Sequence, residues 1–401
     1  MSAPAKKQDR FHFLDGFRGI AIAMVVFAHA FMANILKFID SFHIPYIGHL
    51  FTDFISSGLD LFFVLSGMVI LRPYLRRERK FEVWDYIKRR MKRLYPPYFF
   101  ALIFGAFVVW FNNAFPTWYN ERGMRMEFSW LETLKEAGIV NINAMYYNLA
   151  WWSLNVEIVF YILVPLIILL FPLPHKLSDR KLYTILGFSL VGTVALQFFC
   201  TYNYPIVFNF THIATNIGMF MEFPVCFMMG AFLATRDLEM KHAKVFLTVG
   251  GLLVVGSVFY VPAIGMRYSP FAHTGYGVLS GGLIIMGHKI KSFRDFWSKP
   301  IFVWLGERSY SLYLVHLSVF YLTDNLVSHI TAERNIYYGI LTRGICIPMS
   351  FFAAMLLFHF VERKYTKGLV TANVFWPFPL SRLRQVVNGE QPAKAAAPTT
   401  N

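Results

Sequence analysis

Charged residues and cysteines are both scarce in this sequence of 401 residues. Only 15% of the residues are charged, whereas ordinary soluble domains have about 25%. The three cysteines are scattered, which excludes a disulfide framework and a cysteine-based zinc site. Apolar residues instead make up 56% of the chain and aromatic residues 18%. This composition predicts a multi-pass membrane protein, in which a net charge of +15 need not indicate nucleic acid.

A helix needs about 20 apolar residues to cross the hydrocarbon core of a membrane, and ten segments approach that length. They lie at about 17–36, 54–71, 96–111, 149–172, 182–201, 214–234, 245–262, 273–287, 300–322 and 337–361. The expected fold class is therefore all-α, a polytopic integral membrane bundle of about ten transmembrane helices in the cell (plasma or inner) membrane.

The basic residues are distributed unevenly between the two sides of this predicted bundle. Of the 38 Lys and Arg, 29 fall in connections on the same side as the N-terminus and six in the others. Cytoplasmic loops carry such an excess, so both termini are predicted to be cytoplasmic. We expect a cytoplasmic tail at 1–10, a membrane domain at 11–366, and a cytoplasmic tail at 367–401 that is partly disordered.

Two ionisable residues stand out in the first predicted span. Arg18 and His29 are eleven residues apart, which places them on one helix face about 16 Å apart along the axis. They could therefore serve the two ends of one elongated ligand, with His29 as a general base. The alternative is that Arg18 reaches the lipid headgroups while His29 packs between helices.

Polar residues with helical spacing also occur in two later spans. Ser153, Glu157 and Tyr161 follow one another at intervals of four, and a buried carboxylate needs a cation or a proton. Tyr310, Tyr313 and His316 are spaced by three. Both sets are candidates for a substrate or oxyanion site, and both are open to a purely structural interpretation as hydrogen bonds between helices or as interfacial anchors.

The connection 72–93 carries ten basic residues. It is typical of a cytoplasmic loop that binds anionic lipid, but its arginines would also suit a polyphosphate ligand. Residues 81–93 are predicted to form an amphipathic surface helix with Phe81, Trp84 and Ile87 on its apolar face. The histidines lack the i, i+4 spacing of metal ligands within a span, so no metal site is predicted.

Several short segments together resemble the membrane acyltransferase family 3. They are FLDGFRGIAI with the Arg-x10-His pair, GLDLFFVLSGMVI, KRRMKRLYPPY, WSLNVEIVFY, SYSLYLVHL and VERKY, in order from about residue 11 to 366. Lys364 replaces the proline of the family's closing element. Many members carry an extra C-terminal esterase-like domain, and this chain is expected to be the stand-alone form.

The resemblance implies an O-acyltransferase that moves an acyl group, most often acetyl, from cytoplasmic acyl-CoA to a hydroxyl of a carbohydrate or glycoconjugate. It implies no permanently bound cofactor, since acyl-CoA is a co-substrate. His29 and Glu157 would be catalytic, and Ser153, Tyr310, Tyr313 and His316 would contact the substrate or the oxyanion. The residues expected to hold the phosphate end of CoA are Arg18, Arg72, Arg89, Arg90 and Arg93.

Two other functions use the same buried polar residues. A transporter of a glycolipid or small anion would line its path with them, although the sequence shows no clear internal repeat. A scaffold or lipid receptor would use the Arg18–His29 pair for packing alone. Neither alternative predicts an acylated product.

Overall fold

The computed structural model describes most of the chain, and the described residues are helical with no strand among them. These residues are 11–41, 45–76, 78–118, 127–138, 147–170, 178–202, 223–235, 237–264, 270–331 and 336–365. The predicted tails at 1–10 and 367–401 lie outside them. The sixth predicted span is described only from residue 223 onward.

The helices follow one another in the order α1 to α14. Their bounds are α1 His12–Asp40, α2 Pro45–Ser56, α3 Gly58–Leu75, α4 Val83–Ala114, α5 Trp130–Ala137, α6 Trp152–Leu170, α7 Asp179–Tyr202, α8 Pro224–Thr235, α9 Met240–Ile264, α10 Pro270–Lys289, α11 Lys291–Trp297, α12 Pro300–Glu307, α13 Ser309–Ser328 and α14 Ile336–Leu357. A 3-10 turn at Leu149–Trp151 precedes α6, and a π-helical turn at Phe358–Glu362 extends α14.

Six segments of the described chain are long and apolar enough to cross a membrane. They are His12–Met32, Leu50–Leu75, Val83–Ala114, Leu149–Ile168, Met240–Val258 and Tyr337–Tyr365. These segments confirm the prediction of an all-helical, multi-pass membrane protein. The number of ten spans and the cytoplasmic termini remain predictions.

The helix boundaries differ from the predicted ones in three places. The second predicted span divides at Ser57 into α2 and α3. The ninth divides at Arg308, whose backbone leaves the helical conformation and whose buried guanidinium lies over the rings of Trp304 and Phe358. The predicted surface helix at 81–93 is instead the first part of α4, which continues through Pro96 and Pro97.

Helix α1 runs through the centre of the bundle and contributes to both of its main apolar clusters. Phe13 and Phe17 belong to one cluster, and Ile22 and Val25 belong to the other. The helix packs extensively against α12 and α3. Its crossing with α12 is so close that a Cβ added at Gly306 would overlap the backbone carbonyl of Asp15. This crossing fixes the part of α1 that carries Arg18.

The short helix α5 packs beside the middle of α4. Tyr98, near the centre of the 32-residue α4, donates a hydrogen bond from its hydroxyl to the carbonyl of Glu136. The chain then reaches α13, where the Nε1 of Trp151 donates to the carbonyl of Leu314. The segment before α6 is thus held inside the bundle, so the first turn of α6, with Ser153, faces the second turn of α13.

Candidate active site

A cavity lies among α1, α3, α4, α6 and α13 and contains about 690 Å³ of space that no protein atom fills, including its open mouth. Two arginines, one carboxylate, several hydroxyls and an apolar wall surround this space. We call it the basic cavity, and its lining residues are Arg18, Leu59, Phe62, Phe63, Ser66, Arg93, Leu94, Ser153, Leu154, Glu157, Tyr161, Ser309, Tyr310 and Tyr313.

The two arginines of the basic cavity have few close polar partners among the described residues. Arg93 makes no hydrogen bond or ion pair to any part of the chain that the structure describes. Arg18 forms a long ion pair, since its Nη1 is 3.9 Å from Oδ1 of Asp15. The two guanidiniums are close enough for their charges to interact unfavourably. Such a pair on one cavity wall favours an anionic ligand.

Glu157 also lines the basic cavity, and its carboxylate accepts hydrogen bonds from two hydroxyls. Its Oε1 accepts a hydrogen bond of 2.5 Å from the Tyr161 hydroxyl and one of 3.4 Å from the Ser66 hydroxyl. The two residues of α6 are one helical turn apart, so the tyrosine holds the carboxylate in a fixed orientation. The negative charge partly offsets the field of Arg18.

The hydroxyl groups of α13 connect the cavity wall to α4 and α6. The Tyr313 hydroxyl is 2.7 Å from the Ser153 hydroxyl and also bonds to the carbonyl of Ala150. The Tyr310 hydroxyl donates to the carbonyl of Leu94 over 2.9 Å. The structure therefore brings together Ser153 from one predicted span and Tyr310 and Tyr313 from another. All three were selected as site candidates by their helical spacing.

His29 and His316 form a hydrogen-bonded pair between α1 and α13. The Nδ1 of His29 is 3.1 Å from the Nε2 of His316, and their ring centroids are 5.0 Å apart. His316 is completely buried, whereas His29 is exposed. The opposite nitrogen of His316, Nδ1, is 2.8 Å from the carbonyl of Tyr313 and 3.1 Å from that of Leu312.

The histidine pair lies next to the basic cavity but does not line it. Tyr313 lines the cavity, and its ring centroid is 6.0 Å from that of His316. Arg18 and His29 belong to one uninterrupted helix, so their axial separation is about 16 Å, as expected from the sequence. Tyr313 thus borders both the basic cavity and the histidine pair.

The other predicted phosphate-binding arginines do not line the basic cavity. Arg72 stacks over the ring of Phe11, 5.4 Å from its centroid. Arg89 donates to the hydroxyl of Tyr74 over 2.9 Å. Arg90 lies over the rings of Tyr86 and Tyr161, 5.8 Å from each centroid. Tyr161 lines the cavity, but Arg90 itself does not.

Arg76, in the same basic connection, is held by the protein itself. Its Nε donates to the carbonyl of Ala234, and its Nη2 lies 3.0 Å from Oδ1 of Asp237. Burial alone would raise the pKa of Asp237, but the hydrogen bond and charge of Arg76 lower it. Its internal pairing sets Arg76 apart from Arg93, which is not paired in this way.

Two residues near the site were not singled out by the sequence. Ser66 lies in the apolar span α3, and its position between Gly and Leu residues gave little reason to select it. Glu362 was assigned only to the end of the last helix. It is buried and accepts a 2.5 Å hydrogen bond from Ser311. It also interacts electrostatically with Arg93 and Arg18. The rarity of a carboxylate in an apolar helix was the available signal.

Helical architecture, membrane-spanning segments and a polar cavity inside the bundle together define a multi-pass membrane protein with an internal binding site. Comparison with known families then specifies the class. The sequence profile described as "Acyltransferase domain" matches residues 11–360. The chain belongs to this acyltransferase family, which confirms the resemblance noted in the sequence.

The chain is similar to longer bacterial proteins. It is 24% identical over 366 residues to the O-acetyltransferase OatA of Staphylococcus aureus strain MRSA252, covering 85% of this chain and 58% of that protein. It is 23% identical over 347 residues to the peptidoglycan O-acetyltransferase OatA of Listeria monocytogenes, covering 79% and 54%. The chain thus spans a little over half the length of these curated relatives. No solved structure matches it significantly.

Proposed function

We propose that this protein is a membrane O-acyltransferase that moves an acyl group, acetyl in the simplest case, from acyl-CoA to a carbohydrate hydroxyl. The main support is the basic cavity, where Arg18 and Arg93 line one space inside a helical membrane bundle. An acyl-CoA has phosphates at one end and a thioester at the other. These cations suit the phosphate end, and the predicted orientation of the bundle places them on the cytoplasmic side.

His29 is the proposed general base at the other end of the donor. It lies about 16 Å along α1 from Arg18, a distance that suits the pantetheine arm of CoA. In the proposed step, the acceptor hydroxyl oxygen attacks the thioester carbonyl while its proton moves to Nε2 of His29. The carbon–sulfur bond then breaks, the sulfur takes up that proton, and an ester and free CoA leave.

The polar residues beside Tyr313 would assist this step. The Ser153 and Tyr313 hydroxyls already share a hydrogen bond, and rotation of either could present a donor to the oxygen that becomes negative in the transition state. Glu157, held by Tyr161, would orient hydroxyl groups in the cavity. Among the predicted arginines, Arg18 and Arg93 are the proposed phosphate ligands. Arg72, Arg89 and Arg90 are not proposed to bind the donor directly.

The acceptor is proposed to be a carbohydrate of the cell envelope, which would place the protein in the plasma membrane. The names of the relatives support this choice, since one of them is a peptidoglycan O-acetyltransferase. The ring of His29 is exposed at the surface of the described bundle, so an acceptor could approach it from outside the basic cavity.

The test is acyl transfer by purified protein in lipid vesicles, with radiolabelled acetyl-CoA and peptidoglycan fragments as acceptor. The wild type should form labelled glycan ester. The His29→Ala variant should lose roughly 100- to 10,000-fold in rate, because general base catalysis contributes about that factor. The His329→Ala variant changes an exposed histidine at the end of α13 and should keep full activity. Undiminished transfer by His29→Ala, or uptake of glycan without acylation, would refute the proposal.

A further inference from the structure

The hydrogen bonds of the two histidines assign a proton to a definite atom in each ring. The Nδ1 of His316 is within 3.1 Å of two backbone carbonyls, Leu312 and Tyr313, which can only accept. This nitrogen must therefore carry hydrogen. The ring is completely buried inside a membrane bundle, where a charged imidazole would be costly, so it is neutral. Its Nε2 is then an acceptor with one lone pair.

The same reasoning fixes the state of His29. Its Nδ1 is 3.1 Å from the Nε2 of His316, which can only accept, so the Nδ1 of His29 carries hydrogen and donates. A neutral His29 with hydrogen on Nδ1 leaves a lone pair on Nε2.

We infer that His316 is a positioning residue that holds His29 in the tautomer able to take a proton at Nε2. This inference rests on the proposed function of His29 as the general base. Free imidazole side chains can place the hydrogen on either nitrogen, and hydrogen on Nε2 would block the base. The buried acceptor on α13 removes that choice, much as a hydrogen-bonded partner selects the tautomer of other catalytic and metal-binding histidines.

His316 would also stabilise the product of the proton transfer. Once Nε2 of His29 has accepted the proton of the attacking hydroxyl, the ring is positive. Its Nδ1–H then donates a charge-assisted hydrogen bond to the same lone pair of His316, which is stronger than the neutral bond before it. No proton needs to pass to His316, because its own Nδ1–H remains bonded to the carbonyls of Leu312 and Tyr313.

The inference is tested by comparing His316→Gln with His316→Leu in the transfer assay. The amide oxygen of glutamine reaches about as far as Nε2 and can accept the same hydrogen bond, whereas leucine fills similar space and cannot accept. We expect His316→Leu to lower kcat roughly 10- to 100-fold with an unchanged KM for acetyl-CoA, and His316→Gln to recover most of that loss. A merely structural role would not separate the two variants in this way.

A second measurement reads the tautomer without relying on catalysis. Diethyl pyrocarbonate acylates an unprotonated ring nitrogen, and mass spectrometry of the peptide that contains His29 gives the rate at that residue. The rate should fall several-fold in His316→Leu and return in His316→Gln, with His329 as an internal reference in each sample. Only variants whose size-exclusion elution and melting temperature in detergent match those of the wild type are compared. Misfolding is thereby excluded as the cause of a change in labelling rate.

The outcomes separate the inference from the function on which it rests. If His29→Ala abolishes transfer but both His316 variants act and react like the wild type, His316 does not position the base and only the inference fails. Equal losses in both variants would also overturn it, because acceptor strength would then be irrelevant. If His29→Ala keeps full transfer, the proposed function of His29 fails, whereas the labelling rates still report whether His316 selects the tautomer.

Discussion

Removing the Arg18 guanidinium should weaken the apparent affinity for acyl-CoA without a comparable effect on the chemical step. Arg18 and Arg93 line the same cavity, and the ion pair of Arg18 with Asp15 is long, at 3.9 Å, so it competes weakly with a ligand. A hydrogen bond to a charged group contributes about 1.5–3 kcal/mol. At 1.4 kcal/mol for each factor of ten, Arg18→Ala should raise the KM for acetyl-CoA roughly 10- to 150-fold.

The assay compares acetyl-CoA with acetyl-pantetheine, which has the same thioester and arm but lacks the nucleotide and its phosphates. The wild type should prefer acetyl-CoA strongly, and Arg18→Ala should lose most of that preference. Arg18→Lys keeps the charge but not the planar fork of donors, so it should fall between the two. The KM of Arg18→Ala for acetyl-pantetheine should match that of the wild type.

Arg89→Ala is the matched control for this prediction. It removes an arginine from the same part of the protein, but one whose guanidinium bonds to the Tyr74 hydroxyl and does not line the basic cavity. Its KM for acetyl-CoA should stay within about twofold of the wild type, since surface charge changes are worth little. If Arg18→Ala raised the KM equally for both donors, or if Arg89→Ala had the larger effect, the assignment of the phosphate end to the basic cavity would be wrong.

Three further results are expected from the structure. Glu157→Gln should lower the KM for acetyl-CoA a few-fold, because it removes the negative charge that offsets Arg18 but keeps an oxygen for Tyr161. An unchanged or higher KM in steady-state kinetics would contradict this electrostatic account. Gly306→Val should destabilise the protein by about 1–3 kcal/mol or more, because the valine side chain would overlap the Asp15 carbonyl. The control variant Gly192→Val has open space around it, and its melting temperature in detergent should be close to that of the wild type. Tyr313→Phe should lower kcat by about tenfold or less, because it removes the hydroxyl that is bonded to Ser153. A change confined to the KM for acetyl-CoA would argue against a position of Tyr313 near the thioester.

Hydropathy and helical spacing predicted much of the fold and part of the site. Long apolar segments with few charges must satisfy their backbone groups internally, so they become helices, and the structure confirms this. Spacing by three and four residues placed Ser153 with Glu157, and Tyr310 with Tyr313, and these residues do face one cavity. Such arguments work because they depend only on geometry within one helix.

Features that depend on contacts between helices could not be predicted in the same way. The break at Arg308 coincides with the burial of its guanidinium against the rings of Trp304 and Phe358, which come from different parts of the chain. The basic connection 72–93 gave no means of ranking its arginines. Arg93 reaches the cavity while Arg89 turns to Tyr74, and a single helical turn makes the difference.

The hydrogen bond between His29 and His316 illustrates this limit most clearly. The two residues are 287 positions apart in sequence, and each was a candidate for a different role when its own helix was considered alone. His316 is completely buried, and its ring nitrogens lie against His29 and two carbonyls of its own helix. Its contact with the substrate or the oxyanion stays a prediction.

The position of α1 connects these observations, because a single rigid element carries both proposed ends of the donor site. Its close crossing with α12 at Gly306 fixes the turn that bears Arg18, and the bond to His316 fixes the turn that bears His29. Catalytic groups misplaced by about 1 Å can lose roughly a hundredfold in rate. A donor of fixed length that is held at both ends by one helix needs no domain closure to align its thioester. Tyr313 lines the basic cavity, and its ring centroid is 6.0 Å from that of His316, so the pantetheine arm of the proposed donor would pass beside this side chain.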